Sequence, residues 1–342
     1  MTVTTRRLVE AAGKQHGTAP FWNPEEGVTI LQPEVPTQGY WVGCPSIIYD
    51  ADRNSYLMTY RRRRPRGLGA ERGWHCAIAE STDGISFADI WALHKDQLTT
   101  PSMERFSIVK DGGRYLLYLS YVDPADNRWR IDMLEASSPD QFNVARLRRL
   151  FDGANTGTEG IKDPHVFKVG PLFHMLASFA SVPKQAMPGM HATADIYNTG
   201  VTTSPTGLAI SRDGLNWEWQ GEIMPVGEGW DRYMTRLTCI LHNGAAWLSF
   251  YDGSAGVEEN YEERCGLALS YDLRNWIRVT TDAPWVVSPH ATGSVRYVDV
   301  LPLAAEIRIY YEYVRPDGAH ELRMNRLPVD RARRGEDDSH AR

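Results

Sequence analysis

Apolar runs with strand-like alternation recur along the chain, and each run ends in a short polar turn. Three of these turns share one pattern, in which Ser and Asp precede a turn residue and an aromatic residue begins the next apolar run. The three copies are residues 81–87 (STDGISF), 211–217 (SRDGLNW) and 270–276 (SYDLRNW), and residues 137–142 (SSPDQF) form a divergent fourth copy. Regular self-similarity of this kind in an all-β pattern predicts an array of like units, as in a propeller or a solenoid.

Five such units can be aligned by their first strands. These strands are expected at residues 43–49, 104–109, 162–167, 235–241 and 293–298. With Cys44, Arg105, Asp163, Arg236 and Ser294 as equivalent positions, the spacings are 61, 58, 73 and 58 residues. Hairpin turns such as residues 111–113 (DGG) and 242–244 (HNG) follow the first strands.

The pattern therefore predicts an all-β fold, a five-bladed β-propeller with four-stranded antiparallel blades around a central channel. We expect residues 1–39 to be an N-terminal lead-in segment and residues 40–327 to be the propeller, which would be the catalytic domain. The charged stretch 328–342 lacks a core-forming pattern and is expected to be a disordered tail.

Composition narrows the class of protein. The chain has 342 residues, of which 42% are hydrophobic, and its 11 Trp and 16 Tyr suit both β-strands and sugar-binding clefts. A net charge of −6 argues against a nucleic-acid partner. The four cysteines lack CxxC spacing, which favours reduced thiols. Without an apolar signal segment or a run of membrane-spanning length, we expect a cytoplasmic protein with no membrane partner, and we leave its oligomeric state open.

In a propeller of this type the loops between the second and third strands rise at one mouth of the channel, where the inner strands start. These loops are expected at residues 61–73, 122–127, 181–206, 252–263 and 314–319. Loops on a rigid scaffold commonly carry function, so this mouth is the expected site.

The inner strand 162–167 (KDPHVF), the Ser-x-Asp-Gly-x-x-Trp turns and the five units resemble the five-bladed glycosidases related to glycoside hydrolase families 43, 32, 117 and 130. The resemblance covers about residues 41–327. It implies a carbohydrate substrate, with carboxylates from different blades acting on one glycosidic bond. By position, Asp163 matches the middle-blade Asp that in these families tunes the acid's pKa or holds the sugar. The chain departs from the pattern at Cys44, where family 43 hydrolases carry an Asp base, and at Arg236, where an acidic motif is usual.

Glycoside hydrolysis needs one protonated carboxyl and one carboxylate. Our candidates are Asp163, Glu104 and Asp231, with Glu263 and Glu159 in reserve. A purely structural role is the competing interpretation of each, such as a Glu104–Arg105 ion pair at a strand edge or an ordinary loop aspartate at Asp231.

Candidate substrate-binding residues combine aromatic rings, which stack on sugars, with arginines and histidines, which bind anions or hydroxyls. They are Trp41, Tyr60, Arg61, His75, Arg105, His165, Arg236, Tyr251, Arg296 and Tyr297. No cluster has zinc-site spacing, so no metal ligand is assigned. The resemblance allows a structural Ca²⁺ in the central channel, near His165, and no other cofactor is expected.

Three functions remain open from the sequence. The first is a glycosidase acting on a small or terminal sugar, which could be a furanose. The second is a glycoside phosphorylase or an enzyme for acidic sugars, in which Arg105, Arg236 and Arg296 bind the anion. The third is a non-catalytic carbohydrate-binding propeller, which would keep the aromatic residues but would not need paired carboxylates.

Overall fold

The structure, a computed structural model, describes residues 19–67, 72–185 and 187–328. These residues contain 21 strands, which form five antiparallel blades, and blades one and five are joined into one eight-stranded sheet by a parallel pairing of β2 with β21. Blade one is formed by β2 (Trp41–Asp50), β3 (Ser55–Arg64), β4 (Arg72–Ser81) and β5 (Ala88–His94). Blade two is formed by β6 (Ser107–Asp111), β7 (Arg114–Val122), β8 (Trp129–Ala136) and β9 (Arg148–Phe151). Blade three is formed by β10 (Gly160–Val169), β11 (Leu172–Ala180), β12 (Thr206–Ser211) and β13 (Trp217–Met224).

Blade four is formed by β14 (Met234–Leu237), β16 (Trp247–Ser254), β17 (Arg264–Ser270) and β18 (Trp276–Arg278), with the short β15 (Leu241–His242) paired to β16. Blade five is formed by β19 (Val295–Pro302), β20 (Glu306–Val314), β21 (His320–Pro328) and, as its outer strand, β1 (Val28–Leu31). The helical elements are short: α1 (Gly153–Thr156) and 3₁₀ turns at Pro24–Glu26, Lys95–Leu98, Val144–Arg146, Ile196–Asn198 and Val257–Glu259. No helix in the described ranges is long and apolar enough to cross a membrane.

The predicted propeller is confirmed, but its N-terminal boundary is not at residue 39. Strand β1 pairs antiparallel with β21, with Val28 opposite Met324, so the start of the chain completes the last blade. Part of the expected lead-in segment therefore belongs to the propeller, because β21 would otherwise leave an unpaired edge. Residues 1–18 and 329–342, which include almost all of the expected tail, lie outside the described residues.

The core lies between the blades, and each neighbouring pair of blades shares one apolar cluster. Leu57 and Leu117 join blades one and two, and clusters of the same kind join every following pair around the ring. Val42 and Tyr310 join blade one to blade five. Because the last cluster returns to the first blade, the ring of blades is closed, and β2 also pairs with β21 there at Trp41 and His320.

The repeated Asp turns connect the third and fourth strands and also fasten neighbouring blades. In the first copy, Asp83 Oδ1 accepts the backbone N–H groups of Ile85 (2.7 Å) and Ser86 (2.8 Å). Gly84 has φ +72°, which favours glycine, and its carbonyl accepts the Tyr310 hydroxyl of blade five at 2.8 Å. The repeat in the sequence therefore reflects a repeated hydrogen-bonded turn, as expected for propeller blades.

Candidate active site

Three inner strands share a bulge at the mouth of the channel. The pairing shifts between Gly43 and Ser46 in β2, and at the corresponding points of β10 and β19. At these bulges Cys44, Asp163 and Tyr297 have φ values of +55°, +57° and +49°. Positive φ is uncommon outside glycine and is retained only where the surroundings fix it. In blade five Tyr297, and not Ser294, is therefore the equivalent of Cys44 and Asp163, so the sequence alignment was shifted there by three residues.

Two carboxyl groups from different blades converge on the hydroxyl of Tyr297. This hydroxyl lies 3.2 Å from Glu104 Oε2 and 3.3 Å from Asp163 Oδ2. The two carboxyl oxygens are therefore at most about 6.5 Å apart, an upper limit that includes the separations of retaining glycosidases and only the shortest separation of inverting ones. A tyrosine hydroxyl has one proton, so it can donate to only one of the two at a time.

Three arginines surround this pair, and each guanidinium binds two carboxylates. Arg236 Nη1 lies 2.7 Å from Asp163, and its Nη2 lies 2.6 Å from Asp252. Arg296 lies 2.7 Å from Glu263 and 2.6 Å from Glu312. Arg61 lies 2.7 Å from Glu104 and 3.3 Å from the same Glu312. All eight of these charged residues are at most 2% exposed. Partnering on this scale is what allows so many charges to be buried together.

Burial and neighbouring charge give two of these carboxyl groups different proton affinities. Burial would raise the pKa of Glu104, but Arg61, Lys162 and Arg63 together lower it to about 2. Burial raises the pKa of Asp252 to about 6, although Arg236 acts in the opposite direction. Glu104 is therefore ionised near neutral pH, whereas Asp252 can hold a proton near pH 6.

Side chains from loops of blades one, three and four meet above this network. Asp195, fully buried in the blade-three loop, accepts a hydrogen bond from Arg66 at 2.7 Å and from the Trp129 indole at 3.3 Å. Arg66 also donates to the hydroxyl of Tyr261 in the blade-four loop at 3.3 Å. The predicted mouth loops of blades one, three and four thus contact one another.

Six of the predicted site residues lie together at this mouth. They are Glu104, Asp163, Arg61, Arg236, Arg296 and Tyr297. Trp41 lies at their edge, where its ring centre is 4.8 Å from the Arg296 guanidinium and its plane stacks on His320 at 4.5 Å.

Four predicted site residues are not at the mouth, and their placement there was wrong. Tyr60 contacts Asp89 of the outer strand β5 at 2.9 Å, and the His75 ring lies 3.9 Å from the same carboxylate. Asp231 pairs with Arg278 of the outer strand β18 at 2.7 Å and accepts the Tyr251 hydroxyl at 3.0 Å. For Tyr60 and Tyr251 the reason is strand alternation: Tyr60 precedes Arg61 and Tyr251 precedes Asp252, and neighbours on a strand face opposite sides. The reserve candidate Glu159 also lies apart, paired with Arg128 at 2.7 Å.

Arg105 and His165 lie one step further along the channel. Arg105 donates to the Thr238 carbonyl at 2.7 Å and lies 3.5 Å from Asp299, which is 3.9 Å from His165. Burial raises the pKa of Asp299 to about 6, and burial together with Arg105 lowers the pKa of His165. Ca²⁺ prefers six to eight oxygen ligands, and the Arg105 guanidinium would repel it. Within the described ranges no group of three or more His, Cys, Asp or Glu side chains is arranged to hold a metal, so these residues do not fit the Ca²⁺ that the resemblance allows.

Sequence reasoning missed Asp252, Glu312, Lys162 and Arg63, and it ranked Glu263 too low. For Asp252 and Glu312, the strand pairing offers a signal that could have been used. Arg236 lies opposite Asp252 and Arg296 lies opposite Glu312 in the strand register, so each inner-strand arginine has an acidic partner on the second strand. Opposite charges in directly facing positions are a common stabilising pair in sheets.

Comparison with solved structures shows the same fold in proteins described as glycoside-active. A glycoside hydrolase matches with a TM-score of 0.65 at 14% identity, over 97% of this chain and 97% of the other. A GH43 β-xylosidase/α-arabinofuranosidase from a compost microbial metagenome matches with a TM-score of 0.60 at 11% identity, over 90% and 96%. A β-1,2-mannobiose phosphorylase from Listeria innocua matches with a TM-score of 0.59 at 12% identity, over 90% and 94%.

No protein-family model and no curated protein matches the sequence. At these identities the structural likeness establishes the fold alone. The chain is thus a β-propeller of the architecture found in these enzymes, as its sequence motifs indicated.

Proposed function

We propose that this protein is a glycoside hydrolase that cleaves a small or terminal sugar at the propeller mouth. The observation that carries the proposal is the convergence of Glu104 and Asp163, from blades two and three, on the Tyr297 hydroxyl. Two carboxyl groups at this separation are the minimum that glycosidic cleavage requires. A carbohydrate-binding propeller without catalysis would have no need to bury such a pair.

In the proposed reaction Glu104 is the ionised carboxylate, because Arg61 and its neighbours hold its pKa near 2. It acts on the anomeric side, as a nucleophile or as the base that activates water. Asp163 faces it across Tyr297 and is the proposed proton donor to the leaving oxygen. Asp252 shares Arg236 with Asp163 and retains a proton near pH 6, so it is the proposed proton reserve.

Hydrolysis is favoured over the phosphorolysis for which Arg105, Arg236 and Arg296 were candidates. Arg236 and Arg296 each have two carboxylate partners, and Arg105 binds the Thr238 carbonyl. Arg236 and Arg296 therefore have no free face for phosphate, and Arg105, whose Nε and Nη2 have no hydrogen-bond partner among the described residues, is fully buried. The carbohydrate substrate and the cytoplasmic location are parts of the same proposal.

The test is a panel of aryl glycosides and small oligosaccharides, incubated with and without phosphate. The wild type is compared with Asp163→Asn and with Asp231→Asn, whose carboxylate is equally buried but lies in the outer part of blade four. We expect phosphate-independent sugar release that Asp163→Asn loses and that folded Asp231→Asn retains. Sugar phosphate formed only with phosphate present would replace hydrolysis by phosphorolysis, and ligand binding with no turnover would contradict an enzymatic role.

A further inference from the structure

Within the described residues, Arg63 on β3 is a buried cation without a hydrogen-bonded partner. It is 6% exposed, and the nearest carboxylate oxygen, Glu104 Oε1, is 3.8 Å from its Nη1. That distance is too long for a hydrogen bond. No oxygen of residues 19–67, 72–185 or 187–328 accepts a hydrogen bond from its guanidinium.

The contrast with the neighbouring arginines is one of charge balance. Arg61, Arg236 and Arg296 each pair with two carboxylates. Arg63 has only the more distant Glu104 carboxylate, whose other oxygen already binds Arg61 at 2.7 Å. Burial lowers the pKa of Arg63 to about 9; Glu104 opposes this shift and the nearby arginines add to it. The guanidinium is largely buried and has no acceptor among the described residues, but its nitrogens still reach the solvent, so the site favours an added anion.

Two aromatic rings fix the orientation of this guanidinium. The Arg63 Cζ lies 4.5 Å from the centre of the Trp41 ring and 4.1 Å from that of Tyr261. Rings stack on the faces of a guanidinium, while its N–H groups point outward in the plane. The Lys162 ammonium lies 5.9 Å from the same Tyr261 ring, so a second cation faces this part of the mouth.

We propose that Arg63 is the receptor for an oxyanion of the ligand that binds at this mouth, with Lys162 as a second positive charge. A carboxylate or a phosphate matches the planar fork of N–H groups. The proposal rests on the proposed function and specifies its substrate class as an acidic sugar; phosphate bound at Arg63 instead would replace hydrolysis by phosphorolysis. It moves the anion site from Arg236 and Arg296, which are paired with carboxylates, and from the fully buried Arg105, to Arg63, which was not among the predicted site residues.

The experiment is titration calorimetry of the wild-type protein with glucuronate and galacturonate, each against its uncharged parent sugar, and separately with inorganic phosphate. Arg63→Gln removes the charge, and Arg63→Lys keeps it but removes the fork. Arg64→Gln is the matched control, because Arg64 is the adjacent arginine but pairs with Glu34 at the surface at 2.7 Å.

We expect the wild type to bind an oxyanion at least about tenfold more tightly than an uncharged sugar, the size of a charge-assisted hydrogen bond. Arg63→Gln should abolish that preference, and Arg64→Gln should keep it. Binding of a uronate identifies an acidic sugar, and binding of phosphate alone identifies phosphate as the source. If Arg63→Gln does not fold, Arg63→Lys should still prefer the anion, with lower affinity.

The proposal is overturned if the wild type binds no oxyanion more tightly than the uncharged sugars, or if an Arg63 variant binds it with wild-type affinity. Its failure is distinguishable from failure of the proposed function. Cleavage of neutral glycosides without anion preference would support the proposed hydrolase activity and contradict the role of Arg63 as an anion receptor. Anion binding that depends on Arg63, with no turnover of any glycoside, would support the anion receptor and contradict the hydrolase activity.

Discussion

Replacing Arg236 with methionine tests whether the buried network stabilises the fold as the geometry indicates. Arg236 donates to Asp163 at 2.7 Å and to Asp252 at 3.0 and 2.6 Å, and both carboxylates are fully buried. The change leaves two carboxylates without their cation in a low-dielectric interior. Removing one member of such a buried set costs about 3–5 kcal/mol.

This loss can be converted into a shift in melting temperature. An unfolding entropy of about 2.1 cal/mol/K per residue gives about 0.7 kcal/mol/K for 342 residues, so Tm should fall by about 4–7 °C. The assay is thermal unfolding followed by circular dichroism at pH 7 and at pH 5. The deficit should be smaller at pH 5, because Asp252, whose pKa burial raises to about 6, takes up a proton there and no longer carries an unpaired charge.

The matched control is the double variant Arg236→Met with Asp252→Asn. It should recover part of the lost stability at pH 7, because one of the two stranded charges is gone. A decrease in Tm of less than about 2 °C for Arg236→Met, or the same decrease at both pH values, would refute this account of the network.

Two further predictions concern the same mouth. Both ring nitrogens of His320 face carboxylates, Glu312 at 2.7 Å and Glu262 at 3.0 Å, and these carboxylates raise the pKa of His320 despite its burial. The stability that His320 adds to the fold is therefore present below pH 6.5 and is lost as the pH rises through its folded-state pKa. In melts from pH 6 to 9 the wild type should lose more Tm than His320→Gln, and parallel curves would contradict the pairing. A Cβ at Gly43 would lie 2.0 Å from Glu312 Oε2, so Gly43→Ala should lower Tm and activity; Gly113→Ala, which meets open space, should change neither.

The fold could be predicted from the sequence because its signals are local. Each Asp turn, such as the one at Asp83, is fixed by hydrogen bonds within a few residues, and five copies of an apolar hairpin can be counted along the chain. Strand β1 was missed because its four residues show no repeat of their own and are defined only by pairing with β21, almost 300 residues later.

The site could be predicted only in part, because its contacts are non-local. Asp163 and Glu104 were found from their positions at inner-strand starts. Arg61 and Tyr60 were both assigned to the mouth, although alternation allows only one of them to face it. The carboxylates that pair with each arginine come from two or three different blades. The sequence therefore could not distinguish Arg63, which lacks a hydrogen-bonded carboxylate among the described residues, from Arg62 and Arg64.

The most direct test of the central claim is the rate of glycoside cleavage by Glu104→Gln relative to the wild type, on any substrate the panel identifies. Glutamine keeps the shape of Glu104 but removes the charge that Arg61 holds at 2.7 Å. If Glu104 is the reacting carboxylate, kcat should fall by at least about a thousandfold while the variant remains folded. A folded Glu104→Gln protein with nearly wild-type kcat would contradict the proposed active site.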